Sequence, residues 1–295
     1  MRAPGTDRDA AAVWEITIPS RPGRLPGVSM AGFRARTPDP VDLGVVPYPA
    51  VTVALDLGDG LLVADEANGR QESGSSVVGL APGGVRGRGR GIECLQIRLS
   101  PVVAHAVLGT SAGWGGSVVS LDDLWGRDAA RVRERLRAAR SWDERFALAE
   151  AELGRRCEAG RAVDAEVAYV WGRTVAARGA VRVEELADEA GWSRKRLWSR
   201  FRTQIGLGPK RAARLVRFDH AVHRLAAGHG AARVAAETGY ADQSHLHREV
   251  TAFAEATPTA VAEAPWLAVD DLAWASPAYL TAARPISPGG RPRRR

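Results

Sequence analysis

Leu186-Ala-Asp-Glu-Ala-Gly-Trp192, followed by Leu197, Phe201 and Pro209, decides the fold of the C-terminal part of this chain. The pattern returns 48 positions later as Val234-Ala-Ala-Glu-Thr-Gly-Tyr240, followed by Leu246, Val250 and Pro258. A small residue, three more residues, a glycine and a bulky apolar residue describe two helices crossing at a tight turn. The small residue lets the helices approach, the glycine takes the left-handed conformation that ends the first helix, and the bulky residue fills the angle between them. Two such units predict two helix-turn-helix motifs in one all-α domain over residues 179–265.

Working outward, Ser193 is a natural N-cap for a helix reaching about Ile205. Leu197 and Phe201, four apart, face inward on that helix. A rotation of about 100° per residue then turns Lys195, Ser199 and Arg202 outward, with Arg196 and Trp198 on the flanks. From Ser193 to Arg217 there are nine basic residues and no acidic one, whereas the helix before it carries Glu184, Glu185, Asp188 and Glu189. That segregation marks the second helix as the face for a polyanion, and the acids suit the dipole at the start of their own helix. In the second unit Leu246, Val250 and Phe253 face inward, while Ser244, Arg248 and Thr251 point outward beside His245 and His247. Arg248 suits guanine or phosphate. Between the units, Pro209 to about Ala227 reads as one helix with Leu215, Phe218, Val222 and Leu225 as its buried stripe. Its length of roughly 28 Å suits two helices held in grooves that repeat every ~34 Å. The first unit is expected to supply more affinity and the second to refine register or specificity.

The rest of the chain changes character twice. Residues 1–125 read as a small β-rich barrel or roll, with strands at Val51–Leu57, Leu61–Val63, Ser76–Val78 and Ile92–Leu99. Asp56–Gly60 and Asn68-Gly69 read as turns between strands. The proline-bearing opening reads as extended or loosely ordered, and Pro82–Gly91, rich in glycine and arginine, as a flexible hairpin loop. Residues 126–178 read as a helical linker: Asp128–Ala139, then a helix opened by a Ser141/Glu144 capping box, then Val163–Ala177 with Val163, Val167, Val170 and Trp171 on one face. Residues 266–295 read as a weakly structured tail. The fold class is therefore α+β.

Composition agrees without deciding. The 295 residues suffice for two cores, 45% hydrophobic content is ordinary for a globular protein, and a net charge of +7 favours a polyanionic partner. Lys195 and Lys210 are the only lysines, so part of the arginine excess reflects a GC-rich codon bias. Cys94 and Cys157, far apart, make neither a disulfide framework nor a zinc knuckle and point to a cytoplasmic protein. No apolar run is long enough to span a bilayer, so no membrane partner is expected. His220 and His223, with His245 and His247, lack the cysteines or carboxylates of a metal site. His105 stands alone in the N-terminal half, and Cys94 reads as a core thiol. With no Gly-x-Ser-x-Gly elbow or paired catalytic carboxylates, the chain does not read as an enzyme, and no cofactor is implied.

The chain resembles the AraC/XylS family of bacterial transcription regulators over roughly Ala180–Ala264. The resemblance rests on Leu186-Ala187-x-x-x-Gly191-Trp192-Ser193, Leu197-x-x-x-Phe201-Arg202, Gly206-x-x-Pro209, Arg217-Phe218-x-x-Ala221-x-x-x-Leu225 and Ala235-x-x-x-Gly239-Tyr240-x-Asp242-Gln243-Ser244-x-Leu246-x-Arg248. It implies a seven-helix domain binding double-stranded DNA, recruitment of RNA polymerase, and an N-terminal domain that binds a small-molecule effector or a second copy in a homodimer. On this reading the DNA-binding residues are Ser193, Lys195, Arg196, Trp198, Ser199, Arg200 and Arg202 in the first unit, and Gln243, Ser244, His245, His247 and Arg248 in the second. The chain departs from the pattern at Ser199, where the family has arginine, at Val250, where it has phenylalanine, and at Glu255, where it has glycine. The alternative is a constitutive or architectural DNA-binding protein with an N-terminal interaction module.

Overall fold

The computed structural model describes residues 13–37, 39–58, 61–66, 71–80, 85–109 and 117–274. Ten strands form two antiparallel sheets. They are β1 (Trp14–Thr17), β2 (Val28–Ala35), β3 (Val41–Val45), β4 (Val51–Asp56), β5 (Leu61–Glu66), β6 (Gln71–Ser73), β7 (Ser76–Val78), β8 (Val85–Arg90), β9 (Glu93–Leu99) and β10 (Val118–Ser120). One sheet has the order β1-β2-β9-β4-β7-β10 and the other β3-β8-β5-β6. This is the double-sheet roll among the sequence expectations, and no closed barrel is seen among the described residues.

The period of two along a strand separates two environments in the larger sheet. In β9, Leu95, Ile97 and Leu99 point into the main core with Val51, Val53 and Leu55 of β4, while Cys94 joins Phe33 and Ala31 of β2 in a second cluster. The register fixes this division, pairing Phe33 with Cys94 and Ala54 with Gln96. Six strands go beyond the four that the sequence marks: β1, β2, β3, β6, β8 and β10. The opening segment, which reads as extended or loosely ordered, supplies β1, β2 and β3, with β2 paired to β1 and β9 and β3 paired to β8. Val85–Arg90 is a strand between β3 and β5, not the loop that its composition suggests. Its glycines and arginines alternate, so small residues face inward and charged ones outward, which composition alone hides. Residues 81–84 and the Asn68-Gly69 turn lie outside the described residues.

The helices are α1 (Pro101–Leu108), α2 (Leu121–Trp125), α3 (Arg127–Ala138), α4 (Trp142–Ala159), α5 (Ala165–Ala176), α6 (Val183–Glu189), α7 (Arg194–Ile205), α8 (Pro209–Ala226), α9 (Ala231–Glu237), α10 (Gln243–Ala254), α11 (Pro258–Ala262) and α12 (Pro265–Ala273). The Ser141 hydroxyl accepts from the Glu144 amide at 3.2 Å, and the Glu144 carboxylate accepts from the Arg140 amide at 2.8 Å, so the capping box is formed. Val167, Val170 and Trp171 are buried as their spacing predicts, but Val163 lies before α5 and is half-buried. The linker helices pack directly on their neighbours. Arg137 of α3 donates to the carbonyls of Leu57 and Gly58, and Arg145 of α4 pairs with Glu93 of β9. A single hydrophobic core runs from Val28 through Leu153 and Phe218 to Leu267.

Past the second helix-turn-helix unit the chain corrects the sequence reading. Residues 265–273 form α12, which packs against α8, β1 and β3 rather than trailing as a loose tail. Leu267 belongs to the main core, while Ala273 and Trp274 join the second cluster. These apolar positions find partners far away in sequence, which local periodicity does not register. Residues 275–295 lie outside the described residues.

Candidate nucleic-acid interface

Each helix-turn-helix unit is built as its sequence requires. Gly191 and Gly239 take φ of 67° and 79°, the left-handed conformation that ends α6 and α9. The small residues Ala187 and Ala235 are 1% exposed where the helices cross, and Trp192 and Tyr240 fill the angles. Ser193 caps α7, its hydroxyl accepting from the Arg196 amide at 3.3 Å. Asp242 caps α10 in the same way, accepting from the His245 amide at 2.6 Å. The Asp242 cap was readable from an Asx residue placed just before an apolar-periodic stretch.

On α7, Leu197 and Phe201 are fully buried, and Lys195, Arg196, Trp198, Ser199, Arg200 and Arg202 are exposed. Trp198 is 50% exposed, an unusual state for so large an apolar ring, with the Arg202 guanidinium 5.1 Å from its centroid. The Arg196 guanidinium sits 4.5 Å from the centre of the Trp192 ring. Arg200 is held differently from its neighbours. It grips Asp164, the residue before α5, through two contacts of 2.6 and 2.8 Å. The guanidinium lowers the Asp164 pKa from its ordinary value.

On α10, Leu246, Val250 and Phe253 are buried, while Gln243, Ser244, His247 and Arg248 are exposed. His245 is half-buried, meeting the Tyr240 ring edge-on at 5.2 Å and accepting from the Ala241 amide at 3.4 Å. It is more a brace for the turn than an outward group. The inward-facing Glu249, 3% exposed, pairs with Arg214 at 2.8 Å and Arg217 at 3.0 Å, both on α8. Glu249 lies outside the residues that the sequence marks for this site, although it sits beside the buried Val250.

The helix between the units spans Pro209–Ala226, with Leu215, Phe218, Val222 and Leu225 buried. At a rise of 1.5 Å per residue its 18 residues span about 27 Å. His220 and His223 on this helix are engaged with protein groups: His220 with Arg178 at 3.3 Å, and His223 with Asp270 of α12 at 3.0 Å.

A cavity of about 170 Å³ lies between the two sheets, away from this surface. Phe33, Ala54, Cys94, Gln96, Arg98 and Trp274 are among its lining residues. The space exists because strand positions facing it, such as Gly44, Ala54 and Gly87, carry small side chains or none. Burial pushes the Cys94 thiol up to about 12, which keeps it protonated and inert. Arg98, 4% exposed, binds Asp270 at 2.5 Å and is flanked by Tyr48 and Trp274, whose ring centres lie 3.6 and 4.3 Å from the guanidinium. Among the described residues no helix is long and apolar enough to cross a membrane.

Residues 186–264 match the family described as a helix-turn-helix domain. No curated protein matches the chain. Among solved structures the chain is similar to ToxT from Vibrio cholerae O395, at 10% identity and a TM-score of 0.45, over 80% of this chain and 97% of that one. It is similar also to ToxT from Vibrio cholerae strain SCE256, described as bound to an unsaturated fatty acid, at 9% identity and a TM-score of 0.44, over 82% and 96% of the two chains. The AraC-like transcriptional activator CuxR aligns at 15% identity and a TM-score of 0.26, over 66% of this chain and 82% of that one. With two capped, exposed helices mounted on α8 and the family match covering both units, residues 186–264 form a helix-turn-helix domain.

Proposed function

We propose that this chain is a sequence-specific transcription regulator that lays α7 and α10 into successive major grooves of double-stranded DNA and answers to a small molecule held between its two sheets. The observation that carries the first part is the pair of exposed helices joined by one continuous helix, α8, about 27 Å long. That length is commensurate with a groove repeat of ~34 Å. Ser193, Lys195, Arg196, Trp198, Ser199 and Arg202 are the contacts proposed for α7, and Gln243, Ser244, His247 and Arg248 those for α10. Arg200 and His245 are secondary, because each already has an intramolecular partner. RNA polymerase and a second copy of the chain are the protein partners that such a regulator would use.

The cavity supports the sensing role over the architectural alternative. Its lining is mostly apolar, with Arg98 and Asp270 among a few polar groups, which is the make-up of a small-molecule site rather than of a filled structural core. Selection of bound fragments from the host genome tests the reading. A short, asymmetric motif phased upstream of genes is the expected result, and broad, salt-limited binding without a motif would favour the architectural protein. Salt titrations of Arg196→Ala and Arg248→Ala test the division of labour: the former is expected to lose the larger salt slope.

A further inference from the structure

The C-terminal helix joins the cavity to the DNA-binding unit through one carboxylate. Asp270 of α12 holds Arg98 of β9 at 2.5 Å with one oxygen and His223 of α8 at 3.0 Å with the other. Asp270 is 4% exposed, so neither contact is a loose surface pair. Four residues further on, Trp274 forms part of the cavity wall against Phe33, their ring centres 6.4 Å apart. Asp270 and Arg98 also line the cavity. A segment that follows the helix-turn-helix domain in sequence therefore closes the sensor, and it reaches back to that domain through α8, the helix that spaces the two units.

We propose that α12 is a ligand-linked strap, and that its ligand is a small apolar molecule carrying one anionic oxygen group that takes Arg98 from Asp270. The proposal rests on the reading of the cavity as an effector site. The size follows from the space, which suits on the order of ten non-hydrogen atoms. The anionic group follows from the wall: Arg98 already holds a carboxylate through one guanidinium nitrogen, so a ligand carboxylate offers the same acceptor chemistry and exchanges for it without leaving the guanidinium uncompensated. The exchange moves one ionic contact and forms or breaks no covalent bond. Once Arg98 is taken, Asp270 is held only from the α8 side, Trp274 loses its seat over Arg98, and α12 loosens from the β domain. The orientation of the two-unit reader relative to the β domain then depends on occupancy.

Hexanoate and 1-hexanol serve as probes, being alike in size and differing in the anionic group. Binding to the full chain is followed by tryptophan fluorescence, and the response by amide hydrogen exchange. Hexanoate is expected to bind more tightly than hexanol and to lower protection of 265–274, and of α8 around His223, by about tenfold. In Asp270→Asn, hexanoate still binds but protection around His223 no longer responds to it. His223→Gln, which keeps the surroundings of Arg98 intact, serves as a second variant. It should uncouple α8 while 265–274 still loosens. Binding of hexanoate with unchanged exchange at 265–274, or an Asp270→Asn response equal to that of the unaltered chain, would overturn the strap and leave the cavity an effector site. Failure of both probes to bind at millimolar concentration would overturn the effector reading and the strap with it, and equal binding of both would overturn the anionic class.

Discussion

Glu255 ends α10 at φ 53°, in the left-handed region where a side chain costs roughly 1–2 kcal/mol over glycine. Its position, three residues before Pro258, corresponds to that of Gly206 before Pro209 in the first unit, and the backbone keeps a left-handed conformation at both. Glu255→Gly is expected to raise stability by about 1 kcal/mol, part of the relief being offset by the freer unfolded chain. Urea denaturation measures this, and a loss of stability would show that the glutamate's own contacts outweigh its strain. Arginines adjacent in sequence also separate at this scale. Arg200 is neutralised by Asp164, whereas Arg196 lies exposed over Trp192. Arg196→Ala should therefore lower the salt dependence of DNA binding by about one charge, and Arg200→Ala by distinctly less. Equal slopes for the two variants would mean that Arg200 leaves Asp164 on the DNA.

The second recognition helix is held to α8 by an ionic cluster as well as by packing. Glu249 is buried against Arg214 and Arg217, and the Arg217 guanidinium also lies 4.6 Å from the Tyr240 ring. Removing the carboxylate leaves the mostly buried Arg217 uncompensated, so Glu249→Ala should cost about 3 kcal/mol. Arg214→Ala, on a residue whose side chain is 42% exposed, should cost under about 1 kcal/mol. Thermal or chemical denaturation of the two variants checks the order, and a larger loss in Arg214→Ala would refute it. The helices of this region were legible in the sequence because the information is local. Caps, a glycine at each turn, and apolar residues three and four apart lie within a few positions of one another. Glu249 was missed because its partners lie 32 and 35 positions away. The same distinction explains the β domain. Val51–Asp56 and Glu93–Leu99 announce themselves by apolar alternation, but Val85–Arg90 is a strand only because β3 and β5 flank it. α12 is the extreme case, since part of its apolar surface packs on strands more than two hundred positions earlier.

At the scale of the whole molecule, the β domain, the linker helices and the two-unit reader share one core, and the polar seam across it runs from Arg98 through Asp270 to His223. His223 faces Asp219 on its own helix and Asp270 from α12, with Arg98 beyond Asp270 and His220 one turn away. Burial lowers its pKa, but the hydrogen bond to Asp270 and the charge of Asp219 prevail and raise it to about 9. Burial also raises Asp219, to about 6, against the pull of His223. Both folded-state values exceed the unfolded ones, so the folded chain binds more protons than the unfolded chain, and stability falls as pH rises through each window. For Asp219 the loss runs from about pH 4 to about pH 6; for His223 the contribution is complete below about pH 6.5 and is lost by about pH 9. The melting temperature should therefore drop between pH 6.5 and pH 9 by more in the unaltered chain than in His223→Gln, which cannot take up the proton. Groups common to both proteins cancel in that difference, leaving the seam. If the two melting curves shift in parallel across this range, His223 stays neutral in the fold and meets Asp270 as an uncharged ring.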